Sequence, residues 1–357
     1  MVVNEMIKIA HIINSKIYSG LENVVCTIME YFKQNYKDID MIYVTQDGPI
    51  ADVLKEKKLK YYIIEKMNTK NINKFIKEYK PDILHAHDFT ASVICALTNT
   101  RIPIINHLHN NAPWIKKINV NSIAYLYAGL RAKKILTVSS SIENEYIFSK
   151  FIKNKIDMVG NPVSRKKILD MVSEDDYNKI YDICCIGRIV EQKNPKRFID
   201  IIYKLKKKIP NIKAVWVGNG EMYEEIINYR DKMDLKENIE FVGFKKNPYT
   251  YLATSKIFLL TSSTEGYGLV AFEALTLGVP CVVSNIGGLP SIVDNSCGKL
   301  CNIDKDFIDE VSELICNHDY YVYKQKKSRE KSAKLDNFSA YMQNINAMYE
   351  SLFMEGM

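Results

Sequence analysis

The stretch Ser262–Pro280, SSTEGYGLVAFEALTLGVP, decides how this chain is read. It follows the apolar run IFLLTSS, which has the β-branched and aromatic content of a strand buried on both faces. Gly266 and Gly268 allow a sharp bend and a close backbone approach to a ligand. A helix is predicted from about Leu269, ended by Gly278 and Pro280. Strand, glycine turn and helix start form a unit whose free N–H groups and positive dipole end suit a phosphate. Glu265 lies in the turn and Glu273 just over one turn into the helix. Two carboxylates so spaced reach different parts of one ligand; a loop glutamate and a solvated helix glutamate are the plain alternative.

The same rhythm extends in both directions. Before the junction the runs are IKIAHIIN, DMIYVTQ, KYYIIE, DILHAH, IPIINHLH, KKILTVS and IDMVGNP. After it come DICCIGR, IKAVWVG, IEFVGF, IFLLTSS and PCVVSN. Strand runs separated by helical patterns imply parallel sheets with right-handed crossovers, so the fold class is α/β. At 357 residues the chain suits two domains rather than one core. The polar stretch Ser164–Lys179 breaks the rhythm and marks the junction. We expect a first Rossmann-like domain over 1–165 and a second over 166–337. A C-terminal helix over about 338–357 is free to pack back on the first. Two doubly wound sheets facing each other leave a cleft at the carboxyl ends of their strands.

Hydrophobic residues make up 47% and charged residues 25%, a globular composition, and there is no run of about eighteen apolar residues to span a membrane. The N-terminus, with Glu5 and Lys8, reads as a first strand and not as a signal peptide. The eight cysteines fall mostly in apolar patterns, and Cys297 and Cys301 have no second ligand pair, so buried thiols in a reducing cytosol are expected. The net charge of +7 is uneven: residues 1–165 carry 23 Lys+Arg against 15 Asp+Glu, and residues 166–357 carry 26 against 27. One half is therefore expected to face an anionic partner.

A second feature supports an anion site. CIGRIVEQKN ends the first strand of the second half with Gly187, Arg188 and Lys193. An Arg fork and a Lys point charge at a strand end suit a diphosphate, although surface charge alone explains such a pair.

Taken together, Gly-Arg-x4-Lys at 187–193 and Glu-Gly-x-Gly-Leu-x3-Glu-Ala at 265–274 resemble the family 4 retaining glycosyltransferases of the GT-B fold, of the bacterial cell-surface polysaccharide type. VGNGE at 217–221 and VGF at 242–244 fall where that family has similar runs, and the resemblance covers nearly the whole chain. It implies two Rossmann-like domains facing across a cleft. It implies that Arg188 and Lys193 hold the donor diphosphate and that Glu273 binds the ribose. Glu265, with Gly266, Tyr267, Gly268, Leu269 and Val270, would hold the donor sugar. Phe244 and Lys245 would lie near the base, Gly20 near the diphosphate and His109 beside the transferred sugar. Ser19 stands where the family has a first glycine, and Ser291 where many members carry glutamate.

The implied function is transfer of a sugar, by default from a UDP-sugar, to a glycan or lipid-linked acceptor. No cofactor, metal or nucleic acid is expected. His85 with His87, and His107 with His109, form His-x-His pairs of the kind metallohydrolases use, but further ligands at that spacing are lacking. Hydrogen-bonded buried histidines are expected there instead. Asp38-x-Asp40 precedes a strand and reads as a solvated turn. A nucleotide-sugar epimerase and a non-catalytic nucleotide-sugar binder are the alternatives.

One absence adds a further expectation. No acidic residue lies between Asp88 and Glu143, a window holding Arg101, Lys116, Lys117, Arg131, Lys133 and Lys134. With Trp114, Tyr125 and Tyr127 it fits a surface that meets an anionic membrane or a lipid-diphosphate acceptor, making the protein cytoplasmic and peripheral. A core helix with solvated lysines at its ends is the alternative.

Overall fold

The computed structural model describes residues 6–98, 100–109, 112–172 and 179–356. The chain forms two compact units, Met1–Pro162 with Asn337–Met357, and Val163–Asp336. The polar stretch after the first unit opens with a helix, Arg165–Val172; its later part, 173–178, lies outside the described residues.

The first unit holds β1 (Ile7–Ile12), β2 (Ile39–Gln46), β3 (Tyr61–Ile64), β4 (Ile83–Ala86), β5 (Ile104–Leu108), β6 (Lys134–Thr137) and β7 (Ile156–Met158). They form one parallel sheet in the order β3-β2-β1-β4-β5-β6-β7. The second unit holds β8 (Tyr181–Ile186), β9 (Ala214–Val217), β10 (Ile239–Phe241), β11 (Ser255–Leu260), β12 (Cys281–Ser284) and β13 (Gly298–Cys301). Its parallel order is β10-β9-β8-β11-β12-β13. Helices cover both faces of such sheets, which is why β8 runs apolar and buried from Ile183 to Ile186. The thiols are free, and burial pushes those of Cys184, Cys185 and Cys281 up, away from reactivity.

Each sheet reverses its winding once, between β1 and β4 and between β8 and β11. Loops leaving the carboxyl ends of those strands turn in opposite directions and open a crevice. In the second unit these loops carry Gly187–Lys193 and Glu265–Gly268; in the first, Asn14–Gly20 and His87–Asp88.

The C-terminal helix Phe338–Gly356 belongs to the first unit. Tyr341, Met342, Ile345, Tyr349 and Leu352 are buried, and the Tyr349 hydroxyl meets His85 Nδ1 at 2.7 Å. Burying each large apolar side chain contributes roughly 1.5–3 kcal/mol, enough in sum to tie the helix to β4 across 264 positions of sequence.

Candidate active site

In the second unit, β11 ends at Leu260 and the chain enters the turn that leads to the helix Leu269–Leu277. Gly268 is the N-cap with φ +91°, a left-handed conformation that a side chain disfavours. The helix stops at Gly278, also left-handed. The turn leans on a second backbone: Gly288 N–H donates to the Gly266 carbonyl at 2.8 Å. A Cβ on Gly287 (φ +54°) would fall 1.8 Å from the Glu265 carbonyl oxygen. The glycines of GGLPSIV are thus needed to let the Glu265–Gly268 turn sit where it does. That requirement involves two loops about twenty positions apart, so no local pattern reveals it.

The loop after β8 is joined to this turn. Ser263 N–H donates to the Gln192 carbonyl at 2.9 Å, and Gln192 Nε2 donates to the Thr264 carbonyl at 3.1 Å. Lys193 Nζ lies 2.5 Å from Glu265 Oε2, with both side chains mostly covered. Arg188 is exposed and makes no ion pair among the described residues. Glu273 faces Tyr249, whose hydroxyl donates to Oε1 at 3.2 Å. Desolvation pushes the Glu273 carboxyl up to about 7, and the Tyr249 hydrogen bond only partly offsets it. Phe244 projects into solvent, 67% exposed, after Gly243, with Lys245 also exposed.

The fold therefore brings Arg188, Lys193, Glu265–Val270 and Glu273 to one switch point. It adds two relations the residue pattern does not contain: the Lys193–Glu265 pair and the Tyr249 contact. Ser291, on the short helix Leu289–Ile292, donates to the Gly288 carbonyl at 2.6 Å and so braces the neighbouring loop.

In the first unit Gly20 opens the helix Gly20–Asn35 and is exposed. Ser19 caps that helix, and Glu22 accepts from Ser19 N–H at 2.9 Å and from its hydroxyl at 2.6 Å. The serine that replaces a family glycine thus serves as a helix cap. His109 follows β5, and burial lowers its pKa to about 3, so at neutral pH it is an uncharged imidazole. Such a ring can accept or donate a hydrogen bond without repelling positive charge. Asp88 caps the helix Phe89–Leu97 through Ala91 N–H and accepts from Asn14 N–H, each at 2.8 Å. Asp40 is held by Lys60 at 2.6 Å and by the Tyr79 hydroxyl at 2.9 Å, at the amino end of β2.

The basic window is split. Lys116 and Lys117 precede the helix Val120–Arg131, while Lys133 and Lys134 follow it, about 18 Å further along. Lys116 pairs with Glu145 at 3.2 Å, Lys133 with Glu355 at 3.3 Å and Lys134 with Asp157 at 2.9 Å. Arg131 donates to the Thr100 carbonyl at 3.0 Å. Trp114 packs edge-on to Phe89 at 4.6 Å. The helix buries Tyr125 and Ala128, yet it exposes Val120, Ile123, Tyr127 and Leu130, with Ile118 just ahead. Those positions recur at helical spacing and make one apolar stripe facing solvent. No helix among the described residues is long and apolar enough to cross a membrane.

Two parallel doubly wound sheets carry, at the second sheet's switch point, a glycine turn, a helix start and a cation loop. Residues 18–167 match Glycosyltransferase Family 4, and residues 168–333 match Glycosyl transferases group 1. The chain belongs to the family 4 glycosyltransferases of the GT-B fold. It is 27% identical over 318 residues to the UDP-Gal:alpha-D-GlcNAc-diphosphoundecaprenol alpha-1,3-galactosyltransferase of Escherichia coli, covering 81% of this chain and 82% of that one. It is 24% identical over 289 residues to the N-acetyl-alpha-D-glucosaminyl L-malate synthase of Bacillus anthracis, covering 77% and 74%. Its fold superposes on Anabaena HepE in complex with UDP and glucose with a TM-score of 0.82, at 16% identity, over 97% of this chain and 100% of that one.

Proposed function

We propose that this glycosyltransferase is a retaining hexosyltransferase that moves a sugar from a UDP-sugar to a glycan or lipid-linked acceptor in cell-surface polysaccharide synthesis. The observation that carries the reading is the convergence of Arg188, Lys193, Glu265 and Glu273 at one switch point. A nucleotide sugar presents a base, a ribose, a diphosphate and a sugar along one line. Phe244 and Lys245 serve the base, Glu273 the ribose hydroxyls, and Arg188, Lys193 and the N–H groups at the helix start the diphosphate. Glu265 with the turn that follows serves the sugar. Without donor, Glu265 and Lys193 hold each other; the donor's sugar hydroxyls and diphosphate then take over those contacts. Gly20 is expected near the diphosphate and neutral His109 beside the transferred sugar, the roles that the family resemblance gives them.

The chemistry asked of these residues is stabilisation of a leaving group. An acceptor hydroxyl oxygen bonds to the anomeric carbon from the face that the diphosphate leaves. The C–O bond to the diphosphate breaks, and the hydroxyl proton passes to a departing phosphate oxygen. Negative charge grows on the diphosphate, where Arg188 and Lys193 are aimed, so these two are expected to carry much of the rate. The charge is met by side chains, without need of a cation at the diphosphate. Two similar proteins, the diphosphoundecaprenol galactosyltransferase and the UDP-bound HepE, support UDP as the nucleotide, and the first supports a diphosphate lipid as the acceptor class. The exposed stripe Val120, Ile123, Tyr127 and Leu130, with Lys116, Lys117, Arg101 and Arg131 beside it, supports a cytoplasmic enzyme that meets an anionic membrane through its first unit.

Calorimetry with free UDP tests the assignment of roles. Glu273→Ala is expected to weaken UDP and donor binding alike, because its partner is the ribose. Glu265→Ala is expected to keep UDP affinity, because it removes only a sugar contact and releases Lys193. Equal loss of UDP affinity in the two variants would contradict the division.

A further inference from the structure

Five of the chain's six histidines are gathered at neighbouring strands of the first unit: His11, His85 and His107 within β1, β4 and β5, and His87 and His109 one residue past the ends of β4 and β5. The two-residue period keeps each His-x-His pair on one face of its strand. Ring centroids lie 4.1 Å apart for His85 and His87 and 4.0 Å apart for His107 and His109. His11 on β1 adds a fifth ring 5.1 Å from His87. Desolvation lowers the pKa of every one.

Each neutral imidazole has one N–H to donate and one nitrogen to accept with. His11 Nδ1 and His87 Nε2 are 2.8 Å apart, His87 Nδ1 and His109 Nε2 3.2 Å, and His85 Nδ1 meets the Tyr349 hydroxyl. His107 is different: it is fully buried, and neither of its nitrogens has a partner among the described residues. An unsatisfied buried polar group costs about 1–3 kcal/mol.

We propose that His87, His107 and His109 form a three-imidazole site for one divalent transition-metal ion of the zinc class. Their ligating nitrogens lie within 4.8 Å of one another. Zinc binds imidazole nitrogen at about 2.0–2.1 Å, which sets two ligands of a tetrahedral ion about 3.3–3.4 Å apart. His87 Nδ1 and His109 Nε2 already stand at 3.2 Å. His107 supplies the third nitrogen, and neither of its ring nitrogens has another partner among the described residues. One outer partner of the kind that orients metal-bound imidazoles is also present. His87 keeps Nε2 for His11, while His109 Nδ1 has no hydrogen-bond partner among the described residues.

The second grouping, His11, His85 and His87, suits an ion less well. Its His11–His87 distance of 2.8 Å is that of a hydrogen bond and shorter than two ligands of one ion allow, and His85 Nδ1 is held by Tyr349. Asp88, next in sequence, uses both oxygens on backbone N–H groups and supplies no ligand. An all-imidazole set favours zinc, copper or nickel over magnesium, calcium or manganese, and leaves the fourth position to water or an anionic oxygen. This assignment concerns the first unit alone and does not rest on the donor site.

The test uses the full chain, stripped with a chelator and titrated with ZnCl2 by calorimetry and with CoCl2 by absorbance. The expected result is one ion per chain with Kd in the micromolar range or tighter. Co2+ should give tetrahedral d–d bands and no thiolate charge-transfer band, and millimolar Mg2+ should not compete. His107→Leu should weaken zinc binding at least about a hundredfold, beyond the roughly 10–100-fold that loss of an outer partner costs. Its metal-free circular dichroism and melting should stay near those of the wild type. Exposed Cys316 and His318 offer an accidental site, so Cys316→Ser/His318→Ala should bind zinc unchanged. Absence of stoichiometric binding would overturn the assignment, as would binding that survives His107→Leu. If His107→Leu fails to fold, the wild-type Co2+ spectrum decides, and a thiolate band there would also overturn it.

Discussion

Glu273→Gln separates what this carboxyl does for the fold from what it does for the ligand. Its pKa stands at about 7 in the folded chain, against a usual value of 4.5, because burial disfavours the charged form. A shift of that size corresponds to on the order of 3 kcal/mol of differential stability between the two protonation states. The sign follows from linkage: between the two pKa values the folded chain binds the extra proton. Wild-type stability is therefore lost as pH rises from about 4.5 to about 7 and is level above. Glutamine carries no charge to bury. At pH 8 the variant should be more stable than the wild type by up to about 3 kcal/mol, and near pH 5 the difference should shrink towards zero. Free UDP should show the opposite preference. An ionised carboxylate is the better acceptor for ribose hydroxyls, so wild-type affinity should rise as pH passes 7 and that pH-dependent increment should vanish in Glu273→Gln. Thermal melts at pH 5 and pH 8, with calorimetry of UDP across the same range, give both readings. A variant less stable than the wild type at pH 8, or one with the same pH profile of UDP affinity, would refute the reasoning.

Other perturbations probe the rest of the site. Lys193→Ala leaves Glu265 as a mostly covered charge without its partner and should cost about 2–4 kcal/mol, whereas Lys193→Met with Glu265→Gln should recover most of it; additive losses in denaturant melts would show that the pair is not coupled. Gly287→Ala puts a Cβ into the Glu265 carbonyl and should abolish transfer while the first unit melts normally; wild-type activity would show that the turn is free to move. Lys116→Gln/Lys117→Gln should reduce sedimentation with anionic liposomes at low salt, and Ile123→Ser/Leu130→Ser should reduce it at any salt, because one pair supplies charge and the other apolar contact. A wild-type chain that ignores anionic liposomes at low salt would make the stripe an interface of another kind.

Much of this was legible in the residues, for physical reasons. Strands buried on both faces must be continuous apolar runs, so the twelve runs quoted all proved to be strands. β13, Gly298–Cys301, escaped because four residues with a central Lys299 resemble a turn end. The start and stop of the helix Leu269–Leu277 were readable because Gly268 and Gly278 occupy backbone conformations other residues avoid. What could not be read is what folding brings together from far apart. Lys193 and Glu265 are 72 positions apart, and each alone resembles a free ligand contact. The two His-x-His pairs looked like isolated buried histidines until β1 carried His11 beside them. The segment from Trp114 to Lys134 has apolar residues at helical spacing, which fits a core helix as well as a surface one. Only the packed fold turns Ile123, Tyr127 and Leu130 to solvent.

The central claim, sugar transfer at the second unit's switch point, is tested most directly by product formation. The purified chain is incubated with a panel of UDP-sugars and a sugar-diphosphate lipid acceptor, and products are followed by mass spectrometry and their anomeric configuration by NMR. The account predicts a new glycoside with the donor's configuration, formed roughly 10²–10³ times more slowly by Arg188→Ala, the scale of losing one transition-state donor. Conversion of the donor without acceptor, binding without turnover, an inverted product, or a wild-type rate in Arg188→Ala would contradict it.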